Sequence, residues 1–235
     1  MTAPMYLSEV SVTGLDMDSP HFVLSMMDGK QYKQHQWLWH LFQSETERKF
    51  LYREKTGAQQ TSPGVYQRSN LPSFYVLSTV APQAHLKYVT VKTKSFSPSL
   101  SKGRRLFFHL RANPVVRKKR DGYKHSQKCD VLMDAKRQVS GSEPAWPAME
   151  ASAKSWLVAQ GEKKGFAPDL NSLAVQQYQQ HLLPKKGAPK PITFSSVDYQ
   201  GLLAVTDPEL FVAELGKGFG SAKAFGCGLM LIRRA

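Results

Sequence analysis

The order in which strand-like and helix-like segments follow one another most constrains the fold of this chain. Met5–Thr13 alternates apolar and polar residues as a half-buried strand does, and the apolar residues of Gln31–Phe42 recur at helical spacing. Two strands, a helix and a strand complete the first half, and the patterns place them at Phe50–Lys55, Ser73–Val80, Pro82–Lys87 and Tyr88–Phe96. The order is strand, helix, two strands, helix, strand.

The second half repeats this order after a junction at Ser97–Gly103. Its predicted elements are a strand at Leu106–Val116, a helix at Ala148–Gln160, strands at Ser172–Gln179 and Ile192–Val205, a helix at Pro208–Leu215 and a strand at Gly228–Arg233. The βαββαβ order is that of a ferredoxin-like unit. We therefore predict an α+β protein with two tandem ferredoxin-like (RRM-like) domains at residues 5–102 and 103–235.

The charge of the chain predicts a polyanionic partner. Its 32 Lys and Arg residues against 18 Asp and Glu residues give a net charge of +14. A membrane surface would attract the same charge, but no basic amphipathic helix or long apolar run accompanies it, so RNA or DNA is favoured over a membrane. With no signal-peptide pattern at the first residues, we expect a cytoplasmic protein.

The two cysteines, Cys129 and Cys227, are too few for a zinc cluster. The seven histidines form no metal-binding spacing with one another or with the cysteines. We expect neither a metal site nor a cofactor.

A glycine-rich segment near the end of the sequence is a candidate phosphate-binding loop. It contains Gly218, Gly220, Gly226 and Gly228 together with Lys217 and Lys223. Glycine permits positive φ, so such a loop can aim several N–H groups at phosphate oxygens. Alternatively, the glycines form only a helix cap, a turn and a crowded strand. The dinucleotide fingerprint would open a helix, whereas this run passes into a strand, so nucleic acid is the better ligand.

A basic segment supplies a second candidate RNA contact. Arg117, Lys118, Lys119 and Arg120 precede Asp121 and Gly122, a pair typical of a hairpin turn. A basic hairpin can clamp a duplex, and the alternative is a solvated charge run. Arg111 could bond a phosphate or pair with an acid, and Lys190 offers a further phosphate contact from a loop rich in Gly and Pro.

Tyr32 and His35 share one face of the first helix, since they lie three residues apart. Histidine exchanges protons near neutral pH without a metal, and RNA brings its own nucleophile, the 2′-hydroxyl. His35, Tyr32 and a nearby lysine could supply the base, the acid and the charge stabilisation that cleavage of RNA needs. The alternative is that His35 is an ordinary surface histidine.

Five local motifs together resemble those of the CRISPR-associated endoribonuclease CasE family, the repeat-processing subunit of type I-E Cascade. They are Met5-Tyr6-Leu7-Ser8, Tyr32-x-x-His35 with Leu38-Trp39-His40-Leu41-Phe42, Phe50-Leu51-Tyr52, Leu110-Arg111-Ala112-Asn113-Pro114, and Gly218-Phe219-Gly220-x-Ala222-Lys223-x-x-Gly226-Cys227-Gly228-Leu229. The segments Thr56–Pro72 and Val139–Pro147 have no counterpart that we can place.

This resemblance implies two ferredoxin-like domains that bind a CRISPR repeat hairpin and cut it at its 3′ base without a metal. The products would carry a 2′,3′-cyclic phosphate and a 5′-hydroxyl. By motif position, His35 would be the catalytic histidine and Tyr32 its helper, the glycine loop would lie against RNA, and the protein would stay bound to the processed RNA with other Cascade subunits. Two alternatives stay open: a subunit that binds an RNA hairpin without cutting it, and an RNA-recognition protein of another pathway.

Overall fold

The computed structural model describes residues 4–13, 31–42, 45–55, 59–62, 65–67, 71–83, 87–119, 122, 124–140, 143–184 and 190–235. The chain forms two compact units, Met1–Pro98 together with Lys223–Gly226, and Ser99–Ala222 together with Cys227–Ala235. The division at residue 98 lies close to the predicted one at 102. The short segment Lys223–Gly226, however, belongs to the first unit although the sequence around it belongs to the second.

The first unit is built on a four-stranded antiparallel sheet. The strands of the unit, in chain order, are β1 (Tyr6–Val12), β2 (Phe50–Glu54), β3 (Gln59–Ser62), β4 (Val65–Gln67), β5 (Ser73–Ser78) and β6 (Val89–Ser95). The main sheet has the order β2-β5-β1-β6, and β3 pairs only with β4 in a separate hairpin. In this sheet the last strand, β6, lies beside the first, β1, and β5 lies between β1 and β2, as in a ferredoxin-like sheet.

Among the described residues of this unit, one helix packs on the sheet. It is α1 (Gln31–Trp39), which continues into a 3₁₀ turn at His40–Phe42. The buried face of β1, with Val10 and Val12, packs with Trp37 and Leu38 of the helix. Because each large apolar side chain gains about 1.5–3 kcal/mol on full burial, this contact fixes which residues of α1 face the sheet.

The second unit repeats the same sheet order. Its strands are β7 (Arg105–Ala112), β8 (Val115–Lys118), β9 (Gln127–Asp130), β10 (Phe166–Pro168), β11 (Ala174–Leu183), β12 (Ile192–Val205) and β13 (Met230–Arg234). The main sheet has the order β10-β12-β7-β13, and β11 pairs with residues 192–200 of β12 on the same edge as β10, opposite β7. β8 and β9 pair with each other in a separate hairpin. The helices are α2 (Val131–Gln138), α3 (Trp146–Lys164) and α4 (Pro208–Lys217).

The helices of the second unit begin and end at residues suited to those positions. Asp207 caps α4 by accepting a hydrogen bond from the Leu210 N–H at 3.0 Å, and Asp130 caps α2 in the same way through Leu132 and Met133. Gly165 ends α3 at φ 76°, where an added Cβ would lie 2.4 Å from the Asp207 carbonyl oxygen. Only glycine fits there.

The predicted strand Leu106–Val116 is two strands, because the sheet hydrogen bonding stops at Asn113–Pro114. Proline has no N–H to donate to a neighbouring strand, and the chain here leaves the main sheet to enter the β8–β9 hairpin. The structure also contains α2 and β10, which the patterns did not predict. At the predicted helix Pro82–Lys87, residues 82, 83 and 87 are not helical, and residues 84–86 lie outside the described part of the chain.

Within the described ranges, no helix is both long enough and apolar enough to cross a membrane.

Candidate functional site

The imidazole of His35 lies among aromatic side chains in the first unit. Its ring stacks on Phe50 and Tyr52 at centroid distances of 5.6 and 6.3 Å, and Trp39 meets it edge-on at 5.5 Å. The side chain is half-buried, and its Nε2 atom has neither solvent contact nor a hydrogen-bond partner among the described residues. Buried polar atoms without partners are rare in folded proteins and mark sites that need an explanation.

Two causes lower the pKa of His35 from 6.5 to about 4, burial of the ring first and the positive charge of Arg48 second. Both effects disfavour the charged imidazolium. At neutral pH the ring is therefore uncharged and able to accept a proton. An anionic phosphate placed beside the ring would act in the opposite direction and raise the pKa, so the ring would then be a better proton acceptor.

Arg48 is a site residue that the sequence did not reveal. It is half-buried, and burial lowers its own pKa, while the Tyr52 hydroxyl opposes this shift. In the sequence it stands in the run Glu45-Thr46-Glu47-Arg48-Lys49, which has the composition of an exposed loop. Only the fold places its charge beside the imidazole.

The segment Lys223–Gly226 packs against the same helix. Its 3₁₀ turn, Lys223–Phe225, contacts α1, and the Tyr52 hydroxyl donates a hydrogen bond to the Ala224 carbonyl at 3.2 Å. An added Cβ on Gly226 would lie 3.5 Å from the Tyr52 ring. Tyr52 thus contacts both His35 and this segment, so the first unit brings Lys223 to the helix that carries Tyr32 and His35. The Tyr32 side chain lies outside the described part of the structure.

Gly218, Gly220 and Gly228 have structural roles in the fold. Gly218 ends α4 at φ 79° and donates its N–H to the Glu214 carbonyl at 2.8 Å, and Gly228 donates to the Arg111 carbonyl at 2.7 Å. At Gly220, where φ is 76°, an added Cβ would lie 2.9 Å from the Asn113 carbonyl oxygen. The amides of Gly218 and Gly228 are thus used inside the protein, and contact of this loop with RNA stays a prediction.

The predicted basic hairpin is present. β8 and β9 pair antiparallel, which sets Arg117 opposite Lys128 on the exposed side, while the adjacent pair Val116 and Cys129 is more buried. Lys119 and Lys124 are also exposed. Gly122, at φ 82°, lies in the connecting loop, and Arg120 lies outside the described residues. This side of the hairpin is a cationic surface, and we call Arg117, Lys119, Lys124 and Lys128 the hairpin cations.

The remaining predicted cations are placed differently. Arg111 makes a two-bond ion pair with the nearly buried Asp198, with Nε to Oδ1 at 2.8 Å and Nη2 to Oδ2 at 2.9 Å. Arg111 was predicted either to bond a phosphate or to pair with an acid, and in the structure it pairs with an acid. Lys118 forms an ion pair with Asp134, and Lys217 with Glu214 at 2.8 Å. Lys190 is exposed just before β12.

In the part of the chain that the structure describes, no three His, Cys, Asp or Glu side chains lie together as ligands of a metal would.

The sequence profile of a family described as "CRISPR associated protein" matches residues 5–234. This match spans nearly the whole chain. The chain belongs to this family, the CasE/Cse3 family of CRISPR-associated proteins. The resemblance inferred from the five motifs is thereby confirmed.

Two curated relatives carry the names of this family. CRISPR system Cascade subunit CasE of Escherichia coli K12 is 26% identical over 85% of this chain and 89% of its own length. CRISPR-associated endoribonuclease Cse3 of Thermus thermophilus is 29% identical over 59% of this chain and 60% of its own length.

Solved structures of this CasE/Cse3 family share the fold. Thermus thermophilus Cse3, bound to an RNA representing a pre-cleavage complex, superimposes with a TM-score of 0.66 at 24% identity, covering 98% of this chain and 99% of that one. Cas6e of Escherichia coli K-12 superimposes with a TM-score of 0.56 at 22% identity and similar coverage. The predicted α+β fold with two ferredoxin-like domains is confirmed.

The low pKa of His35 leads to a prediction that nuclear magnetic resonance can check. We expect the His35 ring to titrate with a midpoint near 4. In the Arg48→Gln variant the pKa of His35 should be higher, because the positive charge at residue 48 is removed. It should stay below 6.5, because burial, the larger cause of the shift, remains. Arg48→Lys, which keeps the charge, is the matched control and should stay near the wild-type midpoint. A wild-type midpoint near 6.5 would contradict the buried position of the ring.

Proposed function

We propose that the chain is an endoribonuclease that cuts CRISPR precursor RNA at the repeat hairpin and keeps the product bound within a Cascade assembly. The observation that carries the proposal is His35, an uncharged imidazole whose buried Nε2 atom has no partner among the described residues, on the helix that carries the Tyr32-x-x-His35 motif. The names of the relatives support it, since one is a Cascade subunit, another is an endoribonuclease, and Cse3 has been solved with RNA bound.

The proposed reaction needs no metal. The 2′-hydroxyl of the RNA loses its proton, its oxygen attacks the adjacent phosphorus, and the bond from phosphorus to the 5′-oxygen breaks. The leaving 5′-oxygen takes up a proton, so the products are a 2′,3′-cyclic phosphate and a 5′-hydroxyl. The protein has to accept one proton, supply one proton, and stabilise charge on the phosphate.

The lowered pKa of His35 favours the role of base over that of acid. At neutral pH the free ring carries no second proton to give, but it can accept one from the 2′-hydroxyl. Tyr32, one helical turn before it, is the proposed helper. Lys223 and Arg48 belong to the same unit and would stabilise charge on the phosphate.

The hairpin cations would hold the RNA duplex. A-form RNA hides its base edges in a deep, narrow groove, so a protein recognises it mainly through shape, phosphates and unpaired bases. A two-stranded ribbon with Arg117 and Lys128 side by side on its exposed side suits phosphates that follow one another along a groove. Many phosphate contacts bind tightly, which explains why a product would stay in place.

A second candidate function is a subunit that binds the RNA hairpin without cutting it. The packing of His35 against Phe50, Tyr52 and Trp39 favours this alternative, because a base must reach the proton it removes. Under the endoribonuclease proposal, bound RNA makes these aromatic side chains move aside and its own atoms take the position beside Nε2.

Replacing His35 separates the two candidates. We expect His35→Ala to slow cleavage of a synthetic repeat RNA by about 10²- to 10⁴-fold, the usual contribution of a general base, while its affinity for the RNA stays within about threefold. Gel analysis measures the cleavage rate, and filter binding measures the affinity. The matched control is His40→Ala, an exposed histidine in the 3₁₀ turn that follows α1, which should cleave as the wild type does. Equal rates in the wild type and His35→Ala would contradict the assignment.

The metal-free mechanism predicts that excess EDTA leaves the cleavage rate unchanged. It also predicts that a 2′-deoxy substitution at the scissile nucleotide stops cleavage, since the RNA then lacks its nucleophile. Mass spectrometry of the 5′ fragment should find a cyclic phosphate. Loss of activity in EDTA with recovery on added magnesium would instead indicate a metal-dependent nuclease.

The proposed role of the hairpin cations predicts a change in salt dependence. The double variant Arg117→Gln/Lys128→Gln should bind the repeat hairpin more weakly, and the slope of log affinity against log salt should become shallower by about 0.7–0.9 for each phosphate that the variant no longer neutralises. Lys154→Gln/Lys163→Gln, which removes two charges from α3, is the control for net charge alone. Equally weakened binding in the two double variants would show that the hairpin has no specific role.

A further inference from the structure

The outer face of the second sheet exposes an aromatic ring at its centre. Along β7 the side chains alternate, so that Leu106, Phe108 and Leu110 are buried while Phe107 keeps 37% of its surface exposed on the opposite face. β7 lies between β12 and β13 and is therefore an interior strand. His109, two residues further on, shares the face of Phe107 and is partly exposed.

Cationic and polar side chains surround this ring. The Arg233 guanidinium of β13 lies 4.7 Å from the centre of the Phe107 ring, and Arg233 is also its register partner. Leu231 and Gln200 flank His109 on the two neighbouring strands. Together they line a concavity of about 490 Å³, whose walls include Phe107, His109, Ala174, Gln200, Leu231 and Arg233.

The combination of an open ring, a guanidinium and an open concavity fits an unpaired nucleobase better than an apolar peptide. A base stacks on an aromatic or guanidinium plane whatever its identity, and its phosphates need cations at the rim of the site. Arg105 shares the face of Phe107 and keeps 62% of its side chain exposed, so its guanidinium can bond a phosphate with the N–H groups that do not face Asp169, its ion-pair partner at 3.4 Å. Two carboxylates lie near these side chains, and each is paired with an arginine, Asp198 by two bonds to Arg111 and Asp169 by its contact with Arg105. The face is therefore not repulsive to an anion.

We propose that this face of the second sheet binds single-stranded RNA, with an unpaired base stacked on Phe107 and His109 and with phosphates bonded by Arg105 and Arg233. None of the residues that form this site belongs to the His35 helix or to the hairpin cations. It goes beyond the proposed endoribonuclease activity, since it would hold RNA that is outside any hairpin.

The test uses a fluorescein-labelled octauridylate, which has no hairpin, and measures its binding to the full chain by anisotropy. We expect Phe107→Leu, which keeps an apolar side chain but removes the aromatic plane, to weaken binding at least about fivefold. Phe107→Tyr should restore affinity to near the wild-type value. Trp146→Leu on α3, which removes an aromatic side chain of 40% exposure, is the control and should bind as the wild type does.

A second measurement, on the unmodified protein, does not depend on how the variants fold. Photocrosslinking with an octamer of 5-iodouridine should attach RNA to the peptide that contains Phe107 and His109. Unchanged affinity in Phe107→Leu, or crosslinks only at other peptides, would overturn the proposal and leave the face to a protein partner. Neither readout involves cleavage, so failure of the endoribonuclease assignment would not alter this result.

Discussion

The proposed chemistry depends on how one imidazole, that of His35, packs against aromatic rings. The apolar side of α1 is fixed by its contact with the first sheet, and His35 follows at the edge of that contact, beside Phe50 and Tyr52. A ring in this position loses the solvation that a charged imidazolium needs. The same packing that stabilises the fold therefore keeps the histidine uncharged at neutral pH, as its proposed role of proton acceptor requires.

The glycine-rich segment shows how structural and functional demands can coincide. Four of its glycines have positive φ, and those at 218 and 228 direct their amides into the protein. A larger residue at 220 would collide with the backbone of Asn113, so glycine is needed there whether or not RNA is bound. The loop nevertheless delivers Lys223 to the first unit, where Tyr52 holds the neighbouring Ala224. The capacity of this loop to bind phosphate is therefore better judged from the placement of its lysines than from the number of its glycines.

The sequence predicted the parts of the fold that depend on local pattern. β12 has the predicted bounds, Ile192–Val205, and α4 begins at Pro208 after the Asp207 cap, because alternation and capping are written in neighbouring residues. The break at Pro114 was also present in the sequence, but the apolar residues on both sides of it favoured a continuous strand. α2, a short helix, has too few turns for its periodicity to stand out from its charged surroundings.

The parts of the site that depend on distant residues could not be predicted in this way. Arg111 pairs with Asp198, which lies 87 positions further along the chain, so its sequence context could not decide between a phosphate and an acid. Arg48 acts on His35 only because the turn before β2 brings it back to the helix. The residue pattern within a segment predicts a helix or a strand, whereas the topology of the fold decides which charged residues meet. Sequence analysis therefore selected His35 but not Arg48.

The net charge of +14 is not equally available over the surface. Lys55, Arg111, Lys118, Lys164 and Lys217 each lie in an ion pair with Glu9, Asp198, Asp134 or Glu214. An ion-paired cation must give up or share its carboxylate before it bonds a phosphate, so its contribution to binding is reduced. In the β8–β9 hairpin, Arg117 and Lys128 are exposed and lie opposite each other on neighbouring strands, and Arg233 lies over an aromatic ring. Because counterion release depends on the phosphates actually contacted, we expect these two surfaces to contribute more to the proposed RNA binding than the paired cations do.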